Sequence, residues 1–350
     1  VTGSDASDGS DAVIRRREAP AGPFPRRGVR RQFGQALAIA ENTARELVRN
    51  PAYAVLVGSG AALSALSPAF ALFHLGEQVR MIADLGLGTT LVVAVLTGVF
   101  GASWAVSEEL ERRSAVAILA KPLPRWAFLL GKYMGVLAAA VLAVALSGLA
   151  LLLTLRAVSS DAGAFLVCAC VAGAAAAAGS ALFRRLGLPW PRAVLVATGL
   201  SLAALLVALD RSGPLAAFGR RPAGWAWALA PALAGIVLQV SVLAAVAVAL
   251  ATRLPLSANL PAVLALFVLG QLAGELRIRG AAAAAMGALL PDMGVFQFSD
   301  AVAQQVSEGA AASGAPVSAG VLLIASGVAC MYVIGALVLG SALFVTRDVG

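Results

Sequence analysis

Histidine is almost missing from this chain: the 350 residues contain one, His74. Two-histidine zinc motifs of the H-E-x-x-H kind are therefore excluded. No serine has glycine at both the minus-two and plus-two positions, so the G-x-S-x-G nucleophile elbow is absent as well. Cysteine is nearly as scarce. Cys168, Cys170 and Cys330 all fall within apolar stretches, and the first two are spaced too closely for a metal-binding C-x-x-C. They read as small buried hydrophobes. The one Gly-Lys pair, Gly131-Lys132, has Trp126 where a phosphate-binding loop needs glycine and Tyr133 where it needs Ser or Thr. No catalytic, cofactor-binding or metal-ligating residues are expected, and His74 with Glu77 and Asp84 reads as a solvated loop. Charge is the last scarcity: 13% of residues are charged, against roughly 25% in an ordinary soluble domain.

What fills the chain instead is apolar. Residues of the Ala, Val, Ile, Leu, Met, Phe, Trp, Tyr and Cys set make up 60% of it, and the mean hydropathy is +0.89. A folded chain of this size has too much surface to hide that much apolar area from water, so the bilayer must serve as solvent. In lipid only helices and closed barrels satisfy every backbone amide. The runs are long, rich in Ala, Leu, Val and Gly, and show no period-2 alternation, which selects helices. A crossing takes about 20 apolar residues. Candidate spans are Ala52–Phe73, Gly86–Ser107, Tyr133–Leu155, Ala164–Phe183, Ala193–Leu209, Ala223–Leu250, Ala258–Leu276 and Val317–Val345. The fourth and fifth together could instead form one re-entrant hairpin, so the fold expected is an all-α bundle of six to eight transmembrane helices. Those spans are almost free of ionisable residues, which argues against an ion-coupled carrier. Gln239 is read as an interhelical hydrogen bond or a substrate contact.

Loop charges orient the bundle. With the N-terminus inside, 19 of the 26 lysines and arginines face the cytoplasm and 7 face outward. Both termini are then cytoplasmic, for six spans or for eight, in a multi-pass protein of the cell inner (plasma) membrane. Residues 1–31 are rich in Gly, Ser, Asp, Pro and Arg and read as a disordered cytoplasmic tail. Their arginines are topology determinants rather than a nucleic-acid arm. Residues 32–50 read as an amphipathic interfacial helix, with Phe33, Leu37, Ala40, Ala44, Leu47 and Val48 on one stripe and Asn50-Pro51 as its stop. Residues 51–350 form the membrane domain, with residues 277–316 on the outer side.

The most informative segment is 107–134, SEELERRSAVAILAKPLPRWAFLLGKYM. Glu108, Glu109, Glu111, Arg112 and Arg113 make a charged turn after an apolar span. Lys121-Pro122-Leu123-Pro124-Arg125 then breaks the chain before the next one, because proline removes a donor and restricts its neighbour. This segment resembles the cytoplasmic loop of the ABC type-2 exporter permease family. Three further segments resemble that family in the same order: Glu46-Leu47-Val48-Arg49-Asn50-Pro51, the outer segment from Leu290 to Asp300, and Leu343-Phe344-Val345-Thr346-Arg347-Asp348. The resemblance runs from residue 32 to the end but leaves Asp161–Pro222 unmatched.

The resemblance implies a half-transporter. Two permeases, identical or related, would pair in the lipid bilayer, each with residues 108–132 docked as a coupling loop on a separate ABC ATPase subunit. Glu108, Glu109, Glu111, Arg112 and Arg113 would carry the coupling, and residues 32–50 would be a connecting helix that also touches the ATPase. The chain itself would not be an enzyme. Phe296 and Phe298, on a sparse apolar stripe with Val302 and Val306, are read either as an outer gate or as a helix resting on the membrane surface for packing alone. Ser299 would cap the short helix that follows, with Asp300 in its first turn. The alternative is a non-transport anchor or scaffold subunit. Substrate identity does not follow from the sequence.

Overall fold

The computed structural model describes residues 29–71, 78–111, 125–158, 162–187, 189–211, 229–274, 291–308 and 317–345. Among these, helix is the only extended secondary structure. The elements are α1 (Val29–Arg49), α2 (Pro51–Ala71), α3 (Gln78–Glu111), α4 (Arg125–Val158), α5 (Ala162–Arg185), α6 (Trp190–Arg211), α7 (Ala230–Ala251), α8 (Leu256–Gln271), a 3-10 turn (Met293–Phe296), α9 (Ser299–Glu308) and α10 (Ala319–Val345). Within them, five stretches are long and apolar enough to cross a membrane: Pro51–Phe70, Val79–Val106, Trp126–Leu155, Ala230–Ala251 and Ala319–Phe344.

The centre is a three-helix core of α3, α4 and α7, each packed on the other two. Val99 and Ala102 of α3, Val136 and Ala143 of α4, and Leu243 and Ala247 of α7 are all fully buried. Burial separates the hub from the rim: 67% of the apolar stretch of α4 and of α7 is buried within the chain, but only 11% of that of α10. A helix apolar all round must meet either protein or lipid on each face. The outer face of α10, with Leu323, Ile324, Met331 and Ile334 exposed, is left for one or the other. The helices α5 and α6 form a hairpin whose turn passes through Gly187 at φ +89°, a left-handed value that glycine adopts at little cost.

The N-terminal helix lies along α4. Its stop is as expected, α1 ending at Arg49 and α2 opening at Pro51. Its orientation differs from the simple stripe. Ala36, Ala40, Thr43 and Leu47 face the bundle, whereas Phe33 and Leu37 are exposed. The reason is on the partner helix. A Cβ on Gly131 would stand 2.7 Å from the Ala36 carbonyl oxygen, and one on Gly135 would stand 2.7 Å from Thr43 Cβ. The two backbones approach so closely that only small residues fit between them, which turns the larger ones outward.

Three expected spans come out differently. The stretch expected as Ala258–Leu276 is the 16-residue α8, about 24 Å long and thus short of a hydrocarbon core of roughly 30 Å. Pro255 precedes its first turn. A turn follows at Leu272, where Gly270 sits against Pro291 and Met293. By contrast α3 and α4 each run for 34 residues, about 51 Å, well beyond the length a crossing requires. Glu108, Glu109 and Glu111 accordingly continue the α3 helix rather than forming a turn after it.

Candidate functional site

The two ends of the core carry different chemistry. At one end α3 finishes at Glu111 and α4 begins at Arg125. Glu108, Glu109 and Glu111 lie on the last turns of α3. Arg112 and Arg113, and the rest of the loop to residue 124, lie outside the described residues. Around this end the bundle is tied by aromatic and cationic side chains. Phe128 of α4 stacks on Phe344 at the end of α10, ring centroids 6.1 Å apart and planes 15° from parallel. Lys132 Nζ sits 5.8 Å from the centroid of the Phe128 ring, a cation–π distance. The lysine is itself buried. Arg253, just past α7, donates from Nε to the Leu343 carbonyl at 3.1 Å, where a cation complements the carbonyl-rich end of α10. At the start of α4, Trp126 meets Phe33 of α1 edge-on at 5.6 Å. The start of α4 is thus joined to α1 and α10 by side-chain contacts.

About 40 Å back along α3, at Asp84, lies the other end. The segment after residue 290 folds over it. The Asp292 side chain accepts from the Gly294 amide at 3.1 Å and starts the 3-10 turn. Gln297 Nε2 donates to Gln271 Oε1 at 2.8 Å, fixing the segment to the last turn of α8. Phe296 and Phe298, the sequence candidates for a gate, are both buried, and so is Val302. They rest on Gly235 of α7, where a Cβ would stand 2.4 Å from the Phe296 carbonyl oxygen and 2.7 Å from the Phe298 ring. The expected cap is displaced by one residue, since Ser299 is the first residue of α9, with Asp300 in its first turn.

Beneath this cover is a cavity of about 410 Å³ whose walls include Asp84 and Leu87 of α3, Gln239 of α7, Phe296, Phe298 and Asp300. Asp84 is near Arg80, 3.9 Å away on the same helix. Gln239 is buried, yet its Nε2 has no hydrogen-bond partner. An unmet buried donor is costly, so the expected interhelical bond from that nitrogen is not made. The sequence signalled Gln239 as a glutamine in an apolar run, but nothing in it brought Gln239, Asp84 and Asp300 together. The buried amide of Asn259 in α8 is partnered through its nitrogen, though its Oδ1 has no partner. Its Nδ2 donates to Ser103 Oγ at 2.8 Å and to the Ala247 carbonyl at 3.0 Å, stitching α8 to α3 and α7.

His74 and Glu77 lie outside the described residues, so their relation to Asp84 is not placed. Compared with known protein families and with curated proteins, the chain matches no family model and no curated sequence.

Proposed function

We propose that this chain is the membrane permease subunit of an ABC-type exporter, driven by a separate ATPase that docks on the segment between α3 and α4. The observation that carries the reading is the long helical pair. Both helices outrun a bilayer's apolar thickness, so their charged ends stand where a soluble motor can reach them. Four segments resembling the ABC type-2 exporter permeases, in order, support the same reading. A push on Glu108, Glu109 and Glu111 acts directly on α3, because they belong to that helix. It reaches α1 through the tight contact with α4, which suits α1 to the role of connecting helix.

The topology fits. With the N-terminus in the cytoplasm, as the loop charges suggest, Arg253, which is bonded to the end of α10, belongs to the coupling side. Asp84, Phe296 and Asp300 fall outside. The five long apolar helices are joined by α5, α6 and the shorter α8, and cytoplasmic termini require an even number of crossings, six or eight, in the plasma membrane. The exposed apolar faces of α2 and α10 are available to a second permease. Substrate would leave through the outer cavity, with Phe296 and Phe298 as its gate.

Reversing Glu108, Glu109 and Glu111 to lysine tests the reading. Charge-assisted hydrogen bonds at a docking surface are worth about 1.5–3 kcal/mol each, so insertion should survive while the ATPase is released or uncoupled in pull-down and hydrolysis assays. A triple variant that binds its ATPase and transports normally would favour the scaffold alternative.

A further inference from the structure

Two further cavities lie between α1, α4 and α6, away from the outer cavity. The larger, about 670 Å³, is an apolar groove whose walls include Val48, Ala139, Leu142, Leu195, Val196 and Leu200. The smaller, about 540 Å³, is polar and is lined by Asn42, Arg45, Glu46, Arg49 and Arg192. Arg45 and Arg192 line both, so the two are one amphiphilic slot, charged at the mouth and apolar within. Along α6 the groove runs from Arg192 to Leu200, about 12 Å of helix, close to the depth of one leaflet of a hydrocarbon core roughly 30 Å thick. At the mouth three guanidinium groups face one carboxylate, Glu46. Arg45 is engaged by Glu41 one turn away, while among the described residues Arg49 and Arg192 have no ion-pair partner.

We infer that this slot binds an anionic phospholipid, with its phosphate on Arg45, Arg49 and Arg192 and an acyl chain along α4 and α6. Charge selects the occupant. A planar guanidinium pairs with a phosphodiester through two parallel hydrogen bonds, and three arginines against one carboxylate repel the ammonium of a zwitterionic headgroup. Asn42 and Glu46 are positioned at the same mouth for headgroup hydroxyls. The walls belong to different parts of the chain, so a bound lipid bridges the N-terminal helix to the α5–α6 hairpin, and occupancy couples membrane composition to the seating of α1. The inference rests on the chain spanning a bilayer and not on its having an ATPase, so the two readings fail separately.

The test uses the full chain reconstituted in vesicles of equimolar phosphatidylglycerol and phosphatidylcholine, extracted in mild detergent and weighed by native mass spectrometry. Each basic residue beside an anionic headgroup is worth roughly fivefold in binding. Wild type should therefore retain phosphatidylglycerol at least about tenfold over phosphatidylcholine. Arg45→Gln, Arg49→Gln and Arg192→Gln combined should abolish the preference, while Arg184→Gln with Arg185→Gln leaves it intact. Val196→Trp with Leu200→Trp, both at exposed groove positions, should displace either lipid. Inorganic phosphate at millimolar concentration should not compete, since it lacks the acyl chain. Equal retention of the two lipids by wild type, wild-type selectivity in the triple arginine variant, or displacement by phosphate alone would each overturn the proposal.

Discussion

The side chain that Gly135 lacks would begin 2.6 Å from the carbonyl oxygen of Ala40. A real Cβ essentially never packs that close to a non-bonded atom, so α1 and α4 sit at this separation only because position 135 has no Cβ. Gly131, one turn earlier and 2.7 Å from Ala36 by the same measure, makes the contact a G-x-x-x-G crossing. The Gly131-Lys132 pair that invites comparison with a phosphate-binding loop serves to seat a helix.

Gly135→Val should therefore unseat α1. Overpacking a close contact costs about 1–3 kcal/mol, and the loss should appear as faster proteolysis within residues 29–49 while the bundle stays folded. Gly34→Ala is the control, because a Cβ there meets nothing within 4 Å. It should be neutral, or stabilise α1 by roughly 0.5–1 kcal/mol. Equal proteolysis of the two variants would remove the glycine crossing as the cause.

Accessibility labelling tests which way the bundle faces. In a background with Cys168, Cys170 and Cys330 replaced by alanine, Asn42→Cys and Leu186→Cys should react with a membrane-impermeant thiol reagent only from the cytoplasmic side. Val295→Cys should react only from outside. All three positions are exposed, so silence cannot be blamed on burial, and labelling of Val295→Cys from the cytoplasm would reverse the topology.

The two buried amides should respond in opposite directions. Asn259→Ala breaks bonds to both Ser103 and Ala247, and interhelical hydrogen bonds in bilayers average about 0.6 kcal/mol with a maximum near 1.7, so a loss of about 1–2 kcal/mol is expected in reversible unfolding. Gln239→Met removes a donor that has no partner and should be neutral or stabilising. If the outer cavity carries substrate, the same Gln239→Met variant should lower transport while its unfolding midpoint holds. A large loss of stability would mean that Gln239 is structural.

Gly235→Ala places a methyl group 2.4 Å from the Phe296 carbonyl oxygen, a clash with backbone that no side-chain rotation relieves. The covering segment should lift, at a cost of about 1–3 kcal/mol. Met293→Cys, silent in the parent because Met293 is buried, should then become reactive. Continued silence would show that α7 yields instead of the cover.

Much of the helix set is written in local order. Apolar runs and prolines locate α1, α2, α5, α6 and α10 within a few residues and the existence, though not the starts, of α3, α4 and α7, because a helix in lipid depends on the length and polarity of its own segment. The failures have the same origin. The packing of Gly270 on Pro291 and Met293 joins segments roughly 20 residues apart, and the rotation of α1 depends on glycines about 90 residues away. The sequence by itself determined an all-helical chain with helices fit to cross a bilayer. It also marked Gln239, Phe296 and Phe298 as residues needing explanation. Only the tertiary structure decided what those residues meet, how Asp84, Gln239 and Asp300 come to share a cavity, and how Arg45 and Arg192 come to share another. Apolarity commits each helix to the membrane independently, but which faces touch is set by steric fit between helices, and that fit is a property of pairs of segments distant in the chain.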